Sequence, residues 1–412
     1  MPPAPAPRLA CYAVAAPGLE AIVAAELAPL VAGPLTPDAG GVAFAGTRAE
    51  LYAANLWSRV ASRVLVRLAE FDARHFAELQ AGCEAIRWEQ VVGPREPVRL
   101  RVTCRKSRLY HSDAVAQRVG DAIRRRTGAA IVEGAGGEED DGADPAQLVV
   151  VRLLHDRCTV SADSSGELLH RRGYRQALGK APLRETLAAA LLLAAGYDGS
   201  GPLVDPLCGS GTIPIEAALV ARRIAPGRHR AFAFERWLDF DAAAWRALRA
   251  RADEQALPFA AHPIWGSDRD AGAVAASAAN AERAGVADDV RFAHAALSAA
   301  PAPDPGAAAP GWLVTNPPYG KRLGEHDALR DLWARLGQWA RARCPGWRAA
   351  VIAPGERVAP RLGLPLAAAA GTRNGGLAVD LAVGTVPGPA PRVAAESAAA
   401  APDAVPTATT AP

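Results

Sequence analysis

The residues with the clearest chemical meaning are Asn316-Pro317-Pro318-Tyr319, which follow the apolar run 313–315. Each proline lacks a backbone N–H, fixes its own φ and pushes the residue before it out of the helical region. The pattern therefore predicts a stiff turn at the carboxyl end of a strand, which is the edge where open α/β sheets bind ligands. The alternative is a proline-bounded loop with a structural role only.

Such a turn can hold an amino group by both of its hydrogens. The side-chain carbonyl of Asn316 and the backbone carbonyl of Pro317 are two acceptors, and they can support charge that develops on a weakly nucleophilic exocyclic nitrogen. Tyr319 can stack on the face of the base that carries this nitrogen. No strong general base is evident, so we expect much of the rate to come from positioning the nitrogen in line with the methyl group that it attacks.

A second pattern is the run Asp205-Pro206-Leu207-Cys208-Gly209-Ser210-Gly211-Thr212, between an apolar strand and a helix predicted at 213–222. Glycines at such a turn let the backbone approach a ligand, and the helix N-terminus favours a negative group, here a carboxylate. The run matches neither the Walker A pattern nor G-x-G-x-x-G. Taken alone, a tight strand-to-helix turn without a ligand explains it equally well.

An acid after a later strand makes a cofactor site the better interpretation. Asp268 follows the strand predicted at 264–266, where a carboxylate can accept hydrogen bonds from both ribose hydroxyls of a nucleoside cofactor. The alternative is that Asp268 caps the next helix, although Asp270 is the better candidate for that cap. Residues 223–262 form an insertion that separates Gly211 from Asp268 by far more than the roughly 20 residues of a nicotinamide-binding unit.

The elements that must position these residues alternate between strands and helices over residues 174–386, which is typical of a parallel, doubly wound α/β sheet. A hairpin with its turn at Asn374-Gly375-Gly376 closes this sheet. The strands predicted here are 203–205, 264–266, 290–292, 313–315 and 349–352.

The front of the chain has a different pattern. Residues 1–56 read as alternating strands and helices too short for a large independent core, and residues 57–165 read as a second α+β unit. Within the second unit, 134–146 is an acidic, glycine-rich loop that we expect to be solvated. The Pro/Ala/Thr-rich tail 387–412 is expected to be disordered. The predicted elements of the second unit are strands at 64–66, 98–102 and 148–154 and helices at 76–86 and 114–126.

Composition limits the class of protein. The 412 residues suffice for two or three domains, and the net charge of +3 is too small to indicate a partner. The six cysteines are scattered, so we expect reduced thiols in a cytoplasmic protein, without disulfides or a metal. The longest apolar run, 187–195, is far shorter than the roughly 20 residues that span a membrane. We expect a monomer or a weak oligomer that does not bind membranes.

Basic residues are concentrated in two places. Residues 95–126 hold ten basic and three acidic residues, a local charge of +7, and a second cluster lies at 171–184. Such clusters suit phosphate contacts, and the interleaved Tyr110 and His111 can stack on unpaired bases. The alternative is a solvated basic face. The candidate RNA contacts are Arg101, Arg105, Lys106, Arg108, Tyr110, Arg171 and Arg172.

Together these residues resemble the class I methyltransferases that act on amino nitrogens. Further stretches resemble one group among them, the THUMP-containing bacterial guanine-N2 methyltransferases of ribosomal RNA, the RlmL/YpsC-like family. The resemblance covers about residues 9–386 and is carried outside the motifs by 52–59, 101–112, 163–175, 181–185, 225–227 and 232–237.

The resemblance implies a fold and an activity. The fold would be a Rossmann-like methyltransferase domain (174–386) preceded by a ferredoxin-like segment (1–56) and a THUMP RNA-binding domain (57–165). The activity would be methyl transfer from S-adenosylmethionine to the exocyclic N2 of a guanosine in 23S ribosomal RNA, with Asn316 to Tyr319 as catalytic residues. The implied cofactor contacts are Asp205, Cys208, Gly209, Gly211, Thr212, Asp268 and Asn316.

Other functions stay open at this point. Within the wider THUMP group, transfer RNA is the nearest alternative target, and Asn-Pro-Pro-Tyr also serves adenine-N6 methylation of DNA and glutamine methylation of release factors. The basic front half argues against a protein substrate. An RNA-binding assembly factor with dispensable catalysis is a further alternative.

The sequence departs from the family pattern at two places. Ala296 stands where an acid that contacts the adenine amino group is expected, so adenine recognition would fall to the backbone or affinity would be weaker. His294 is a possible substitute, although a lone surface histidine is the better interpretation. Gly320-Lys321-Arg322 replaces the usual Gly-Glu-Arg, and its extra positive charge could meet phosphate.

Overall fold

The computed structural model describes residues 7–132, 146–175, 183–303, 310–319, 326–355 and 359–388. The strands are β1 (Leu9–Val14), β2 (Leu35–Asp38), β3 (Gly41–Gly46), β4 (Arg63–Asp72), β5 (Val98–Arg105), β6 (Ile131–Val132), β7 (Gln147–Leu154), β8 (Arg157–Asp163), β9 (Leu203–Asp205), β10 (Ile264–Asp268), β11 (Val290–His294), β12 (Trp312–Thr315), β13 (Arg348–Ala353), β14 (Leu366–Asn374) and β15 (Leu377–Thr385). The helices are α1 (Glu20–Leu27), α2 (Arg48–Trp57), α3 (Phe76–Glu84), α4 (Ser112–Thr127), α5 (Glu185–Ala194), α6 (Thr212–Ala221), α7 (Ala242–Gln255), α8 (Ala271–Ala284), α9 (His326–Arg343) and α10 (Ala359–Leu362).

One sheet unites the whole front of the chain, which we call the amino-terminal module. Its eight strands follow the order β2-β3-β1-β4-β8-β7-β5-β6. Because β1 pairs with both β3 and β4, with Tyr12 opposite Leu65, the first three strands extend the sheet formed by the later five. The inward side chains of β7, such as Val149 and Val151, are fully buried in the hydrophobic core, and α4 packs against the neighbouring strand β5.

The second sheet forms the carboxyl-terminal domain, with the order β11-β10-β9-β12-β13-β15-β14. It is parallel from β11 to β13, and β15 joins antiparallel to β13. The predicted doubly wound α/β fold is therefore confirmed, and each of its five predicted strands lies within an observed strand. Apolar strands buried on both faces explain this success, since strands such as Leu203–Asp205 are fully buried.

Local signals fix the ends of several elements. Asp270 caps α8 by accepting hydrogen bonds from the backbone N–H groups of Gly272 and Ala273, as predicted. The β14–β15 hairpin has Gly375 and Gly376 as its two turn residues, both with positive φ (53° and 81°), which is the requirement of a type I′ turn.

The insertion at 223–262 joins the two parts of the molecule. It carries a short 3₁₀ turn and α7, and its aromatic side chains surround a tyrosine of α2. The ring of Tyr52 stacks on Phe234 with centroids 4.5 Å apart, and Trp245 meets the same tyrosine edge-on at 5.9 Å. Burial of these large apolar side chains makes the insertion a hydrophobic contact between module and domain.

Polar contacts supplement this aromatic contact. The guanidinium of Arg59, two residues after α2 ends, donates to the backbone carbonyls of Leu219 (3.3 Å) and Ile224 (2.7 Å) in the carboxyl-terminal domain. The backbone N–H of Gly227 donates to the carbonyl of Leu56 at 3.0 Å. No helix within the described ranges is long and apolar enough to span a bilayer.

Candidate active site

The site is built where two central, adjacent strands end. β9 leads into the glycine-rich run and β12 leads into the Asn-Pro-Pro-Tyr turn, and the two strands pair in parallel. Asp205, the last residue of β9, is 1% exposed, and its Oδ1 accepts hydrogen bonds from Thr315 Oγ1 (2.6 Å) and the N–H of Leu207 (3.1 Å). Since Thr315 directly precedes Asn316, this contact brings the two predicted motifs together.

Burial dominates the electrostatics of Asp205. Loss of water raises the pKa of its carboxyl to about 7, against the lowering by the hydrogen bonds from Thr315 and Leu207, and the nearby charge of Asp268 raises it further. The group therefore titrates close to neutral pH. An ammonium group placed beside it would favour its ionised form.

The two glycines of the loop have different roles. Gly211 has φ +79°, and an added Cβ would lie 2.9 Å from Ser277 Cβ and 3.0 Å from Phe292 Cζ. Gly209 has φ +53°, but an added Cβ would meet no atom of the described chain within 4 Å. Gly211 is therefore needed for close packing against α8 and β11, whereas Gly209 faces open space of the kind that a bound ligand fills.

The helix that follows β10 supports the glycine loop. Ser277 Oγ donates to the carbonyl of Gly209 at 2.8 Å, and Asn280 Nδ2 donates to the carbonyl of Ser210 at 3.1 Å. Sequence reasoning missed both residues. The signal was available, because they are the polar residues spaced three apart on one face of an otherwise alanine-rich helix.

Asp268 lies beside this loop. Its Oδ2 accepts a hydrogen bond from the N–H of Gly209 at 3.0 Å, and its Oδ1 accepts one from the N–H of Asp270 at 2.9 Å. The predicted cofactor residues Asp205, Gly209 and Asp268 thus share one edge of the sheet. Thr212, also predicted, is buried at the first position of α6.

Cys208 contributes through its backbone and its packing. Its N–H donates to the carbonyl of Ser267 at 2.9 Å, which ties the loop to β10. Burial, followed by the charges of Asp205 and Asp268, raises the pKa of the thiol well above its usual range. The sulfur therefore stays protonated and is a poor nucleophile.

The Asn-Pro-Pro-Tyr turn holds an acceptor that has no donor within the part of the chain that the structure describes. Asn316 Oδ1 is buried and has no hydrogen-bond partner among the residues that the structure describes. Pro317 is buried, Pro318 is exposed, and Tyr319 is half-buried. An unsatisfied buried acceptor costs about 1–3 kcal/mol, so a donor that reached Asn316 Oδ1 would stabilise the turn by a comparable amount.

The segment after β11, where an acid that contacts adenine is expected, has Ala296 at that position. Ala296 is exposed at the start of a short 3₁₀ turn, and His294 Nε2 lies 3.0 Å from the carbonyl of Arg269, pointing to a structural contact. The run Gly320-Lys321-Arg322, the other departure, lies outside the described residues. No group of three or more His, Cys, Asp or Glu in the described ranges is arranged to hold a metal ion.

Three of the residues predicted to contact RNA lie close together at one end of the amino-terminal sheet. Arg105, Lys106 and Arg108 are exposed at the end of β5 and in the loop before α4. Tyr110 in the same loop is 69% exposed, and its ring centroid is 4.1 Å from that of His111. This arrangement presents cations and an aromatic pair together, as single-stranded RNA contacts require.

Two further arginines, which sequence reasoning missed, lie on the outer face of the same sheet. In the strand register, Arg152 of β7 lies beside Thr103 of β5. Val150, two residues before Arg152 and on the same face, lies beside Arg101 of β5, so Arg101 and Arg152 share this face. Arg67 of β4 lies on this face as well, with its guanidinium 4.9 Å from the ring centroid of Tyr12. The alternation of exposed and buried positions along the predicted strand at 148–154 could have identified Arg152.

The second basic cluster is largely structural, and the expectation for Arg172 is corrected. Arg172 is 5% exposed, and its guanidinium donates to the carbonyls of Leu169 and Arg59, each at 2.5 Å. It also lies 3.5 Å from the buried carboxylate of Glu216 on α6. The chain turns inward at Arg172. A basic run that looks like a solvated face in the sequence therefore contributes to the contact between module and domain.

Its neighbours differ. Arg171 is half-buried, and its assignment to RNA stays a prediction. Arg175 forms an ion pair with Glu185 at 2.8 Å, and Lys180 lies outside the described residues.

Comparisons with known proteins agree with this architecture. The family described as "RMKL-like, methyltransferase domain" matches residues 172–376. The RlmL ferredoxin-like domain matches 10–65 and the THUMP domain matches 73–163. The division of the amino-terminal module at 56/57 stays a prediction.

Individual relatives cover most of the chain. "Putative RNA methyltransferase slr0064" of Synechocystis sp. is 38% identical over 379 residues, which are 90% of this chain and 95% of that protein. Ribosomal RNA large subunit methyltransferase K/L of Syntrophotalea carbinolica is 39% identical over 86% of this chain. This chain spans only about half the length of that K/L relative (50%). The crystal structure of SMU.472 complexed with SAH has a TM-score of 0.78 and 30% identity, covering 93% of this chain and 99% of the other.

Proposed function

Since this chain belongs to the RMKL-like methyltransferase family with ferredoxin-like and THUMP domains, we propose that it transfers a methyl group to the exocyclic N2 of a guanosine in large-subunit ribosomal RNA. The observation that carries this proposal is the buried Asn316 Oδ1 without a partner in the described chain. It lies in the turn that the Thr315–Asp205 hydrogen bond joins to the glycine loop.

The residues of the loop fit S-adenosylmethionine as cofactor. A related structure of 30% identity contains SAH, the product that remains after the methyl group has left. Gly209 faces open space, Asp268 lies beside it, and Asp205 provides a buried carboxyl at the end of β9. When bound, S-adenosylmethionine supplies an electrophilic methyl group on a sulfonium. Gly209, Asp268 and Asp205 would hold it, and Gly211 would keep the loop packed against α8 and β11.

The turn acts on the amino group of the substrate. Asn316 Oδ1 and the carbonyl of Pro317 each accept one of its two N–H groups, which orients the nitrogen lone pair away from the turn. Methyl transfer would form a nitrogen–carbon bond as the carbon–sulfur bond of the sulfonium breaks and SAH is left. The nitrogen would gain positive charge, which the two acceptors would stabilise. One proton then leaves the nitrogen for solvent, so no strong base is required at the turn.

The amino-terminal module supports RNA as the substrate class. The exposed cations Arg105, Lys106 and Arg108 suit phosphate, and Tyr110 suits an unpaired base. Arg67 and Arg152 extend this basic surface across the open sheet face. Large-subunit ribosomal RNA is the target that the K/L relative's name states. Transfer RNA is the alternative target.

One experiment tests the assignment. The full chain is incubated with labelled S-adenosylmethionine and undermodified large-subunit RNA, transfer RNA, DNA or protein, and the product is digested and identified. We expect label in N2-methylguanosine from large-subunit RNA. Asn316→Ala should abolish turnover and leave the Kd for SAH within about twofold, because Asn316 Oδ1 is assigned here to the amino group of the substrate, although the resemblance also counts Asn316 among the cofactor contacts. Label in adenosine or in protein would refute the proposal.

A further inference from the structure

A hydrogen bond links the catalytic turn to the hairpin at the edge of the second sheet. Asn374 Nδ2 donates to the phenol oxygen of Tyr319 at 2.5 Å. We propose that Asn374 is a positioning residue, which fixes the ring of Tyr319 in the orientation that receives the substrate base. This inference rests on the proposed function, since it takes Tyr319 to be the ring on which the base stacks.

The backbone holds the donor in a defined place. Asn374 is the last residue of β14 and pairs with Leu377 across the two-glycine turn. A two-residue type I′ turn sets the register of both strands, so a slip by one residue would move Asn374 to the opposite face. The position of its side chain is therefore determined by the hairpin and is independent of the catalytic turn.

The face of β14 that carries Asn374 turns toward the core. Thr372, two residues earlier on the same face, is 7% exposed, and Ala370 and Tyr319 both pack on the main hydrophobic core. Arg373, on the opposite face, is exposed. The tyrosine thus lies against a strand that is itself held by the core.

The amino-terminal module presses on this same strand. Gly18, in the loop before α1, lies so close to β14 that an added Cβ would be 1.8 Å from the carbonyl oxygen of Gly371. Its φ of +87° suits glycine in addition. The module that carries the RNA-binding face therefore abuts the strand that holds the catalytic tyrosine, which leaves that strand little freedom to move.

A fixed ring matters because stacking depends on geometry. A half-buried tyrosine without a partner on its oxygen can turn about its side-chain bonds, and the base resting on it would turn as well. Misplacement of a reacting nitrogen by about 1 Å can cost about a hundredfold in rate. Desolvation raises the pKa of the Tyr319 phenol, with the Asn374 contact opposing it, so the oxygen stays neutral and accepts the amide hydrogen.

A double-mutant cycle tests the proposal in the full chain. Asn374→Ala removes the donor, and Tyr319→Phe keeps the ring but removes the acceptor. We expect each to lower kcat for RNA methylation about tenfold, with the Kd for SAH unchanged within about twofold. The double variant should be no slower than either single variant, because both remove the same contact. Asn374→Asp, whose carboxylate can accept the phenol hydrogen, should recover most of kcat.

Controls separate positioning from simple stabilisation. Ala378→Ser, at an exposed position on β15 opposite Arg373, should leave kcat and Tm unchanged. If Asn374→Ala lowers Tm and SAH affinity in parallel with kcat, or if the effects of the two variants multiply, the contact only stabilises the hairpin and the proposal is wrong. An unchanged kcat for Asn374→Ala would overturn it as well.

The cycle is run on whichever substrate accepts label. Label in adenosine with a coupled loss of kcat would refute guanosine as the target while upholding the positioning role. Label in N2-methylguanosine, with effects of the two substitutions that multiply, would uphold guanosine as the target and refute the positioning role. A wild-type chain without turnover on any fraction would refute both.

Discussion

Thr315 Oγ1 donates to the buried Oδ1 of Asp205 across 2.6 Å, and this bond joins the strand that ends at the Asn-Pro-Pro-Tyr turn to the strand that leads into the glycine loop. Asp205 is the last residue of β9 and Thr315 the last of β12. The glycine loop and the Asn-Pro-Pro-Tyr turn are therefore held in register by side chains as well as by strand pairing.

Replacing Thr315 by valine should weaken both folding and binding. The substitution preserves shape and removes the donor, which leaves a buried carboxyl oxygen with one hydrogen bond fewer. We expect the free energy of unfolding to fall by about 1–3 kcal/mol and the Kd for SAH to rise several-fold. Urea denaturation and calorimetric titration measure these changes. Thr315→Ser keeps the hydroxyl and should resemble the wild type, so equal losses in both variants would contradict this explanation.

The free energy of unfolding should depend on pH through the titration of the Asp205 carboxyl. The pKa of this carboxyl is about 7 in the folded chain, above its ordinary value of 3.8, because burial disfavours the charge. Between these values the folded state binds more protons than the unfolded state, so the contribution of Asp205 to stability falls as pH rises from about 4 to about 7.

Asp205→Asn isolates this contribution, because every other titrating group is present in both chains. We expect the unfolding free energy of the wild type minus that of Asp205→Asn to decrease between pH 4 and 7 and to level off above pH 7. Denaturant unfolding without SAH at several pH values measures it. A difference that is constant or rises with pH would show that Asp205 titrates elsewhere.

Replacing each of the two loop glycines by alanine should affect stability and SAH affinity differently. Gly211→Ala forces a methyl group against Ser277 and Phe292, so we expect it to lose about 1–3 kcal/mol of unfolding free energy. Gly209→Ala pays only the strain of its positive φ, about 1 kcal/mol, but its methyl group enters the open space assigned to the cofactor. Gly209→Ala should therefore show the greater loss of SAH affinity relative to its loss of stability. The reverse order would place the cofactor elsewhere.

Arg172 should behave as a structural residue and Arg105 as an RNA contact. Arg172→Ala leaves Glu216 buried without its ion pair, so we expect a loss of about 3–5 kcal/mol of unfolding free energy. Arg105→Ala should leave stability unchanged, weaken RNA binding and reduce the slope of log affinity against log salt by about one. Thermal unfolding and RNA titrations at several salt concentrations compare the pair. An Arg172→Ala chain of full stability but weak RNA affinity would restore the sequence-based assignment.

Much of the carboxyl-terminal domain could be predicted from sequence, because its signals are local. A strand flanked by turn residues, a cap such as Asp270 and a two-glycine hairpin turn are each set within a few positions, and the structure contains all three. The Asn316 turn was identifiable for the same reason, since two prolines restrict the backbone wherever they stand.

The remaining features depend on contacts between distant parts of the chain. Nothing near Arg172 in the sequence shows that Glu216 lies opposite it, and nothing near Asn374 shows that Tyr319 does. The aromatic residues of the insertion are visible in the sequence, but their partner Tyr52 lies in another module. Such pairs are decided by tertiary packing, which a charge count or a strand pattern does not report.

The shared eight-stranded sheet has a consequence for how this protein can be divided. β1 lies between β3 and β4, so removing the first strands would uncover residues 63–66 of β4, whose backbone groups pair with β1. A fragment starting near residue 57 would expose an unpaired strand edge, which favours strand pairing between molecules and hence aggregation. The ferredoxin-like and THUMP segments should therefore be expressed and engineered together, because they share one sheet, even though each is recognisable by itself.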